Sequence, residues 1–462
     1  MADVIPFTCW RPSKEYAAQV AAAPYDTFSR EEAAREIAQH PLSFLRIDKS
    51  AALFGAEVDE YDPRVYARAR KELDNWYEQE IMTPCDPALT PAYYLYRLTQ
   101  GSHQQTGLIA CASVADYQQG IIKRHENTRA KKEADRVEHI KALEAHTGPV
   151  LLTYPSDQKL DALLKELTQE RPVSQQPAVQ VSTKEESAVQ APFQEQQEQV
   201  AQASSQEQPA QRALPLYDFV APDGVRHEFW RVDDAEATRQ IQACFADIST
   251  LYVADGHHRA AAAARIAKLY QEQQCDGLQE AQYFLVALFG SDELQVLDYN
   301  RVISDRAGHT SEELLKAIEA VVDIEAQGDQ PYRPSQRGEL SMYLEGTWYK
   351  LKVREATRPT DAVDGLDVAL LHDGILAPLL QVLDPRSDAR ISYVGGARGL
   401  TELAERADES SGVAFALYPC SLAELFAVAN EDRLMPPKST WFEPKPRSGL
   451  AIHRIAHRIA SA

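Results

Sequence analysis

Positive charge is scarce in this 462-residue chain. Lys and Arg total 48 against 69 Asp and Glu, a formal net charge of −21. Coating DNA or an anionic bilayer requires a cationic face, so neither nucleic acid nor a membrane is expected as partner. A local basic pocket for a small anion remains open. Long apolar runs are missing as well, none approaching the roughly 20 residues that span a bilayer. The start, MADVIPFTCWRPSKEY, lacks a basic stretch followed by an apolar one, so no secretory signal is expected there. The six cysteines (Cys9, Cys85, Cys111, Cys244, Cys275, Cys420) lie far apart and form no Cys-x-x-Cys. Zinc knuckles and thioredoxin-type sites are therefore unsupported, and reduced thiols in a cytoplasmic protein are the expectation. Neither a Gly-x-Ser-x-Gly elbow nor a P-loop signature occurs, which removes support for those hydrolase and NTPase classes.

What is present is enough apolar sequence, 44%, to bury a full core. Length suggests roughly two to four domains. Ser29-Arg30-Glu31-Glu32 is a capping box that opens a helix toward His40, and Asp62-Pro63 opens another through Tyr66, Ala69, Leu73 and Trp76. Strands are predicted at Tyr93–Leu98, Thr106–Ser113 and Val150–Tyr154, with a charged helix over Asn127–Thr147. Residues 172–212 are rich in Gln, Glu, Ser, Ala and Pro and nearly free of large apolar side chains. Such composition cannot offset its ordering entropy, so an extended spacer is expected. Beyond it come a strand at Val225–Val232, a helix at Asp234–Ala246, a strand at Thr250–Val253, a helix from Ala260, and a strand at Tyr283–Phe289. A hairpin turning at Glu345-Gly346 and helices at Leu366–Leu383 and Thr401–Ala407 follow. Strands alternating with helices predict a mixed α/β class. The expected parts are 1–115, 116–305 interrupted at 172–212, and 306–462.

The densest polar constellation is Ala254-Asp255-Gly256-His257-His258-Arg259, between a strand and an alanine-rich helix. A strand that ends in a Gly turn and passes straight into a helix aims free backbone N–H groups at one spot, where the helix dipole adds about half a positive charge. Arg259 can fork onto two phosphate oxygens, and His257 and His258 can donate or accept. Asp255 would repel phosphate unless it holds Mg²⁺ or a substrate donor. Other readings stay open: a structural turn capped by Asp255, or a transition-metal site. Adjacent histidines on a helix diverge by about 100°, however, and chelate one ion poorly. Lys123, Arg124 and Arg129 make a basic patch suited to an anion, or else a helix start paired with Glu133 and Asp135. Two later features are candidate pocket walls. One is Val394-Gly395-Gly396-Ala397-Arg398-Gly399, where Arg398 suits a carboxylate or phosphate. The other is Pro436–Phe442, where Lys438 and Ser439 are candidates for substrate contact.

Ala254–Arg259 resembles the turn-to-helix signature of the ParB/sulfiredoxin superfamily, whose members bind nucleotide phosphates there. The Asp-Gly-His-His-Arg form is closest to that of free L-serine kinases. Apart from the Gln/Glu-rich insertion, nearly the whole chain resembles the prokaryotic family known as domain of unknown function 1015. The hallmarks are Pro24-Tyr25-Asp26, Ile122–Arg129, Asp223–His227, Asp298–Val302, Asp384-Pro385-Arg386, Gly395–Leu400 and Met435–Lys445. The resemblance implies a ParB/sulfiredoxin-like nucleotide-binding core with additional N- and C-terminal α/β parts. It further implies ATP or ADP with Mg²⁺ as cofactors and a small amino acid as substrate. In that picture His125-Glu126 matches the kinases' upstream His-Glu pair. Glu126 takes the hydroxyl proton, His257 is a further catalytic residue and His125 contacts the substrate, while Gly256, His258 and Arg259 cradle phosphates. Asp255 orients the acceptor or Mg²⁺, and Arg398 or Lys438 neutralises the amino acid's carboxylate. The alternative is a ParB-like nucleotide-binding regulator or scaffold without kinase activity. The oligomeric state is left open.

Overall fold

The computed structural model describes residues 1–168 and 214–455, apart from positions 87, 355 and 357. The stretch 172–212, expected to be an extended spacer, lies outside the described residues.

A nine-stranded mixed sheet organises the first part of the chain. Its order is Ile122–Lys123, Leu251–Asp255, Val150–Tyr154, Tyr283–Gly290, His103–Ser113, Tyr93–Gln100, Arg226–Val232 and Tyr217–Val220, with Val4–Ile5 also paired to His103–Ser113. The sheet thus draws strands from both sides of residue 115. Val150–Tyr154 is buried at every position, so both faces of the sheet are covered. The helix His257–Gln273 covers one face. Its Ala260, Ala263 and Ala267 pack on the sheet core. Ala262 and Ile266 instead meet Val137 and Ile140 of the helix Ala130–Leu143. Small side chains bring the helix close to the strands, so its N-terminus sits right at the sheet's end.

Six antiparallel strands form a second sheet, in the order Asp323–Gly328, Thr347–Lys352, Glu339–Leu344, Val413–Leu417, Tyr299–Ile303 and Ile391–Gly395. The Glu345-Gly346 turn has φ of 46° and 81°, the left-handed pair that a tight two-residue hairpin needs. A small four-stranded sheet joins Met82–Pro84, Cys9–Pro12, Ile452–Arg454 and Ala145–His146. The end of the described chain is thereby stitched back onto its beginning. The mixed α/β architecture agrees with the sequence reading.

Several element boundaries differ from expectation. The helix expected from Ala260 starts at His257, because Gly256, at φ 87°, already serves as its N-cap residue. No single helix runs over Leu366–Leu383. An α-helix at Asp367–Leu371 passes into a π turn at His372–Leu376 and then stops. Pro378 lacks the N–H that the next turn would need, and its ring crowds the preceding carbonyls. Among the described residues no helix is long and apolar enough to cross a membrane. All six cysteines are free thiols, with Cys9 and Cys111 buried.

Candidate functional site

The strand Leu251–Asp255 carries the site because its end is irregular. Tyr252 faces Thr153 and Val253 faces Leu152, but Asp255 faces Leu151, so a bulge at Ala254 re-aims Asp255. Gly256 then turns left-handed. Its Cα approaches Val150 closely enough that a Cβ would stand 3.4 Å from the Val150 Cα, so conformation rather than space demands glycine here. The N–H groups of His257 and His258 open the helix and have no carbonyl a turn behind them to bond.

Alongside, Ile122–Lys123 pairs in parallel with the same strand, Ile122 opposite Leu251 and Lys123 opposite Tyr252. Parallel pairing makes both chains leave the sheet at one end, which carries Glu126 to the mouth of the Gly256 turn. The segment Met435–Pro446 closes the third side. The Met435 N–H donates to the His125 carbonyl at 2.8 Å, and the Gln105 side-chain amide donates to the Pro444 carbonyl at 3.1 Å. Arg301, 3% exposed, donates to the Lys438 carbonyl at 2.9 Å and holds a residue whose φ is +59°.

The result is a cleft of about 850 Å³, part of it open to solvent, walled by Tyr25, Asp26, Glu126, Arg129, Lys132, Asp255, Gly256, His257, His258, Arg259, Lys438 and Lys445 among others. Five cationic and three carboxylate residues thus line one cleft in a chain that is strongly acidic overall. Burial raises the Glu126 carboxyl above the usual glutamate range. The Lys438 ammonium opposes that rise and the Asp255 carboxylate adds to it. Burial would raise Asp255 too, but the Lys445 ammonium, the Gly256 N–H at 2.8 Å and Lys438 outweigh it and hold Asp255 low. Burial and Lys132 push His258 down to about 4. Its Nε2 accepts from the Arg129 N–H at 3.0 Å, which leaves the proton on Nδ1. His257 is 6% exposed with no hydrogen-bond partner on either ring nitrogen, and its ring meets that of His125 edge-on with 4.5 Å between centroids.

Not every residue singled out in the sequence arrives here in the expected state. Arg259 lines the cleft, yet its guanidinium is committed behind the site. It pairs with Asp48 at 3.1 Å and donates to the Ser448 hydroxyl at 3.1 Å. A Cβ at Gly148 would collide with it. The phosphate fork expected of Arg259 is thus replaced by an anchor under the turn. Asp255 has one oxygen on a backbone N–H and the other on Lys445, so it does not fit the Mg²⁺ role expected of it. Arg398 sits elsewhere, paired with Glu402 at 3.1 Å and reaching Glu32 at 3.7 Å. The Ser439 hydroxyl donates to the Pro436 carbonyl at 2.6 Å and faces a different cavity with Arg301 and Asp367. His125, 1% exposed, stands behind Glu126 with its Nε2 3.3 Å from the Thr440 hydroxyl. Lys123 is taken by Asp432 at 2.7 Å, so of the basic patch Arg129 is the member that reaches the cleft.

Lys445, Lys132, Tyr25 and Asp26 were given no role by sequence reasoning. The signal for three of them was available, since Lys445, Tyr25 and Asp26 fall inside the hallmark strings Met435–Lys445 and Pro24–Asp26. Lys132 has no sequence signal beyond being one charge among many on a charged helix.

The profile of a family described as "Protein of unknown function (DUF1015)" matches residues 4–203 and 185–369. No curated protein sequence matches the chain. Solved structures with a similar trace include SbnI with C-terminal truncation from Staphylococcus aureus, at 11% identity over 74% of this chain and 85% of that one, with TM-score 0.34. A free serine kinase in complex with AMP shares 11% identity over 73% and 86%, with TM-score 0.30. A conserved hypothetical protein from Pyrococcus furiosus shares 10% over 75% and 94%, with TM-score 0.29.

Proposed function

The chain belongs to the DUF1015 family, and we propose that it is a nucleotide-dependent kinase of a small hydroxy-amino acid, free L-serine first among them, giving O-phospho-L-serine. The observation that carries this reading is the placement of a half-buried carboxylate, Glu126, in one cleft with a helix N-terminus and two lysines that come from a distant segment. Phosphoryl transfer asks for little more than that: positioned phosphates, neutralised charge and a proton acceptor beside the attacking oxygen.

In this mechanism the N–H groups of His257 and His258 receive phosphate oxygens of the donor, ATP or ADP. Lys438 and Lys445 offset the charge that gathers on the transferred group. The His258 Nδ1–H supplies a further donor. Glu126 accepts the proton of the acceptor hydroxyl as the new O–P bond forms and the donor's anhydride O–P bond breaks. A carboxyl raised by burial suits a general base that must both take and release a proton. Arg129 and Lys132 are the cations placed to meet the amino acid's own carboxylate, a role that Arg398 cannot fill from its position against Glu402. No step is routed through Mg²⁺, because the Asp255 carboxylate is already engaged by Lys445.

The test is product formation from L-serine with ATP and with ADP in Mg²⁺-containing buffer, on folded protein. Phosphoserine is expected with one of the two donors. Glu126→Gln should remove turnover by a factor of about 10² or more while nucleotide binding persists. Absence of phosphoserine with either donor rejects the serine reading.

A further inference from the structure

The strand pair that brings Glu126 to the cleft also brings two imidazole side chains beside it that phosphoryl transfer, as proposed, does not use. One donor atom each from His125, Glu126 and His257 lies within 4.8 Å of the others. His125 and His257 are 1% and 6% exposed, and neither ring nitrogen of His257 has a hydrogen-bond partner. A buried imidazole with no partner is costly, since its N–H loses water and gains nothing. Packing alone does not call for two such rings edge-on at 4.5 Å, beside a carboxylate.

We infer that His125, His257 and Glu126 form a three-ligand site for a borderline divalent cation such as Zn²⁺. Two imidazoles and one carboxylate are a zinc donor set that leaves a fourth position open. Donors on a tetrahedral zinc stand about 3.3 Å apart at bond lengths of about 2.0 Å, so atoms already within 4.8 Å of one another need to close by about 1.5 Å at most. His258 is outside the trio, because its Nε2 is held by the Arg129 N–H. Hard oxygen-seeking ions gain little from two imidazoles, which separates this site from one built for Mg²⁺. Metal on Glu126 competes with a proton for the same oxygen, so the bound ion would block Glu126 as a base. Binding itself does not depend on the kinase reading.

The test is titration of the full-length, chelator-treated protein with Co²⁺ in the absence of substrate. One Co²⁺ per chain is expected, with a visible absorption band that Zn²⁺ displaces. Loss of a mere supporting contact costs a metal site about tenfold in affinity, so His257→Ala and Glu126→Gln should each cost at least that. His258→Ala should leave Co²⁺ affinity unchanged. No stoichiometric uptake by the wild type, or uptake that survives in His257→Ala, overturns the assignment. Should His257→Ala fail to fold, X-ray absorption of the Zn²⁺-loaded wild type decides. Two imidazole ligands support the site, and an all-oxygen shell overturns it. Metal uptake together with no phosphoserine from the chelator-treated, zinc-free protein in Mg²⁺ buffer would count against the kinase and leave the metal site standing.

Discussion

At the residue scale the account rests on how neighbours set the charge of Glu126. Burial raises its carboxyl and the Lys438 ammonium pulls it back. A general base works only when ionised, so activity should rise with pH through the Glu126 pKa and fall as pH drops below it. Removing the ammonium removes the opposing influence. Lys438→Met should therefore move the acidic limb of kcat/KM to higher pH, beyond any loss in rate. A limb that stays in place or moves down would separate Lys438 from Glu126. Residues were legible here when their spacing implied geometry. Gly256 between a strand and an alanine run implies a tight turn, and its φ of 87° makes that turn left-handed. Arg259 was not legible in the same way. Its partner Asp48 lies 211 positions away, and nothing local says that the guanidinium faces backward.

The element scale explains why this turn can be rigid. Asp48 is 1% exposed, accepts from Thr147 at 2.7 Å and pairs with Arg259, so one buried ion pair ties an early helical segment to the helix that opens the cleft. Truncating one member of a buried pair strands the other charge. Arg259→Ala should cost about 3 kcal/mol in denaturant unfolding, with part recovered when Asp48→Asn is added. Burial alone would raise Asp48, but Arg259 and His139 hold it below the usual aspartate range. Its stabilisation is therefore complete above the unfolded pKa of about 4 and is lost as pH falls through the lower folded value. In Arg259→Ala the acid transition should begin at higher pH. Gly256→Ala puts a side chain at positive φ and should cost about 1–2 kcal/mol while weakening nucleotide binding. Helix and strand identities were largely legible from periodicity and capping, as at Ser29 and Glu345-Gly346. The stop after Leu376 was not legible in the apolar spacing, and its only local signal is Pro378.

Across the whole molecule the cleft is a small positive region in a chain of net charge −21, with Arg129, Lys132, Lys438 and Lys445 against three carboxylates and Arg259 paired with Asp48 behind it. The acidic surround repels a polyphosphate at long range and the pocket attracts it at short range. Inside the pocket the ammonium groups dominate. Nucleotide affinity should therefore weaken as salt rises from low to physiological strength, in a titration followed by calorimetry, and Lys445→Met should flatten that dependence. Long-range assembly was the least legible property of the sequence. Lys438 and Lys445 reach the Gly256 turn only because the segment after the six-stranded sheet crosses back over the first sheet, and no local pattern announces such a return. The most direct test of the central claim is a crystal structure of the full chain with ADP. The account predicts phosphate oxygens within hydrogen-bond reach of the His257 and His258 N–H groups, with the Glu126 carboxylate facing the terminal phosphorus across space for a hydroxyl. Phosphates bound away from that turn, or Glu126 pointing out of the cleft, would contradict it.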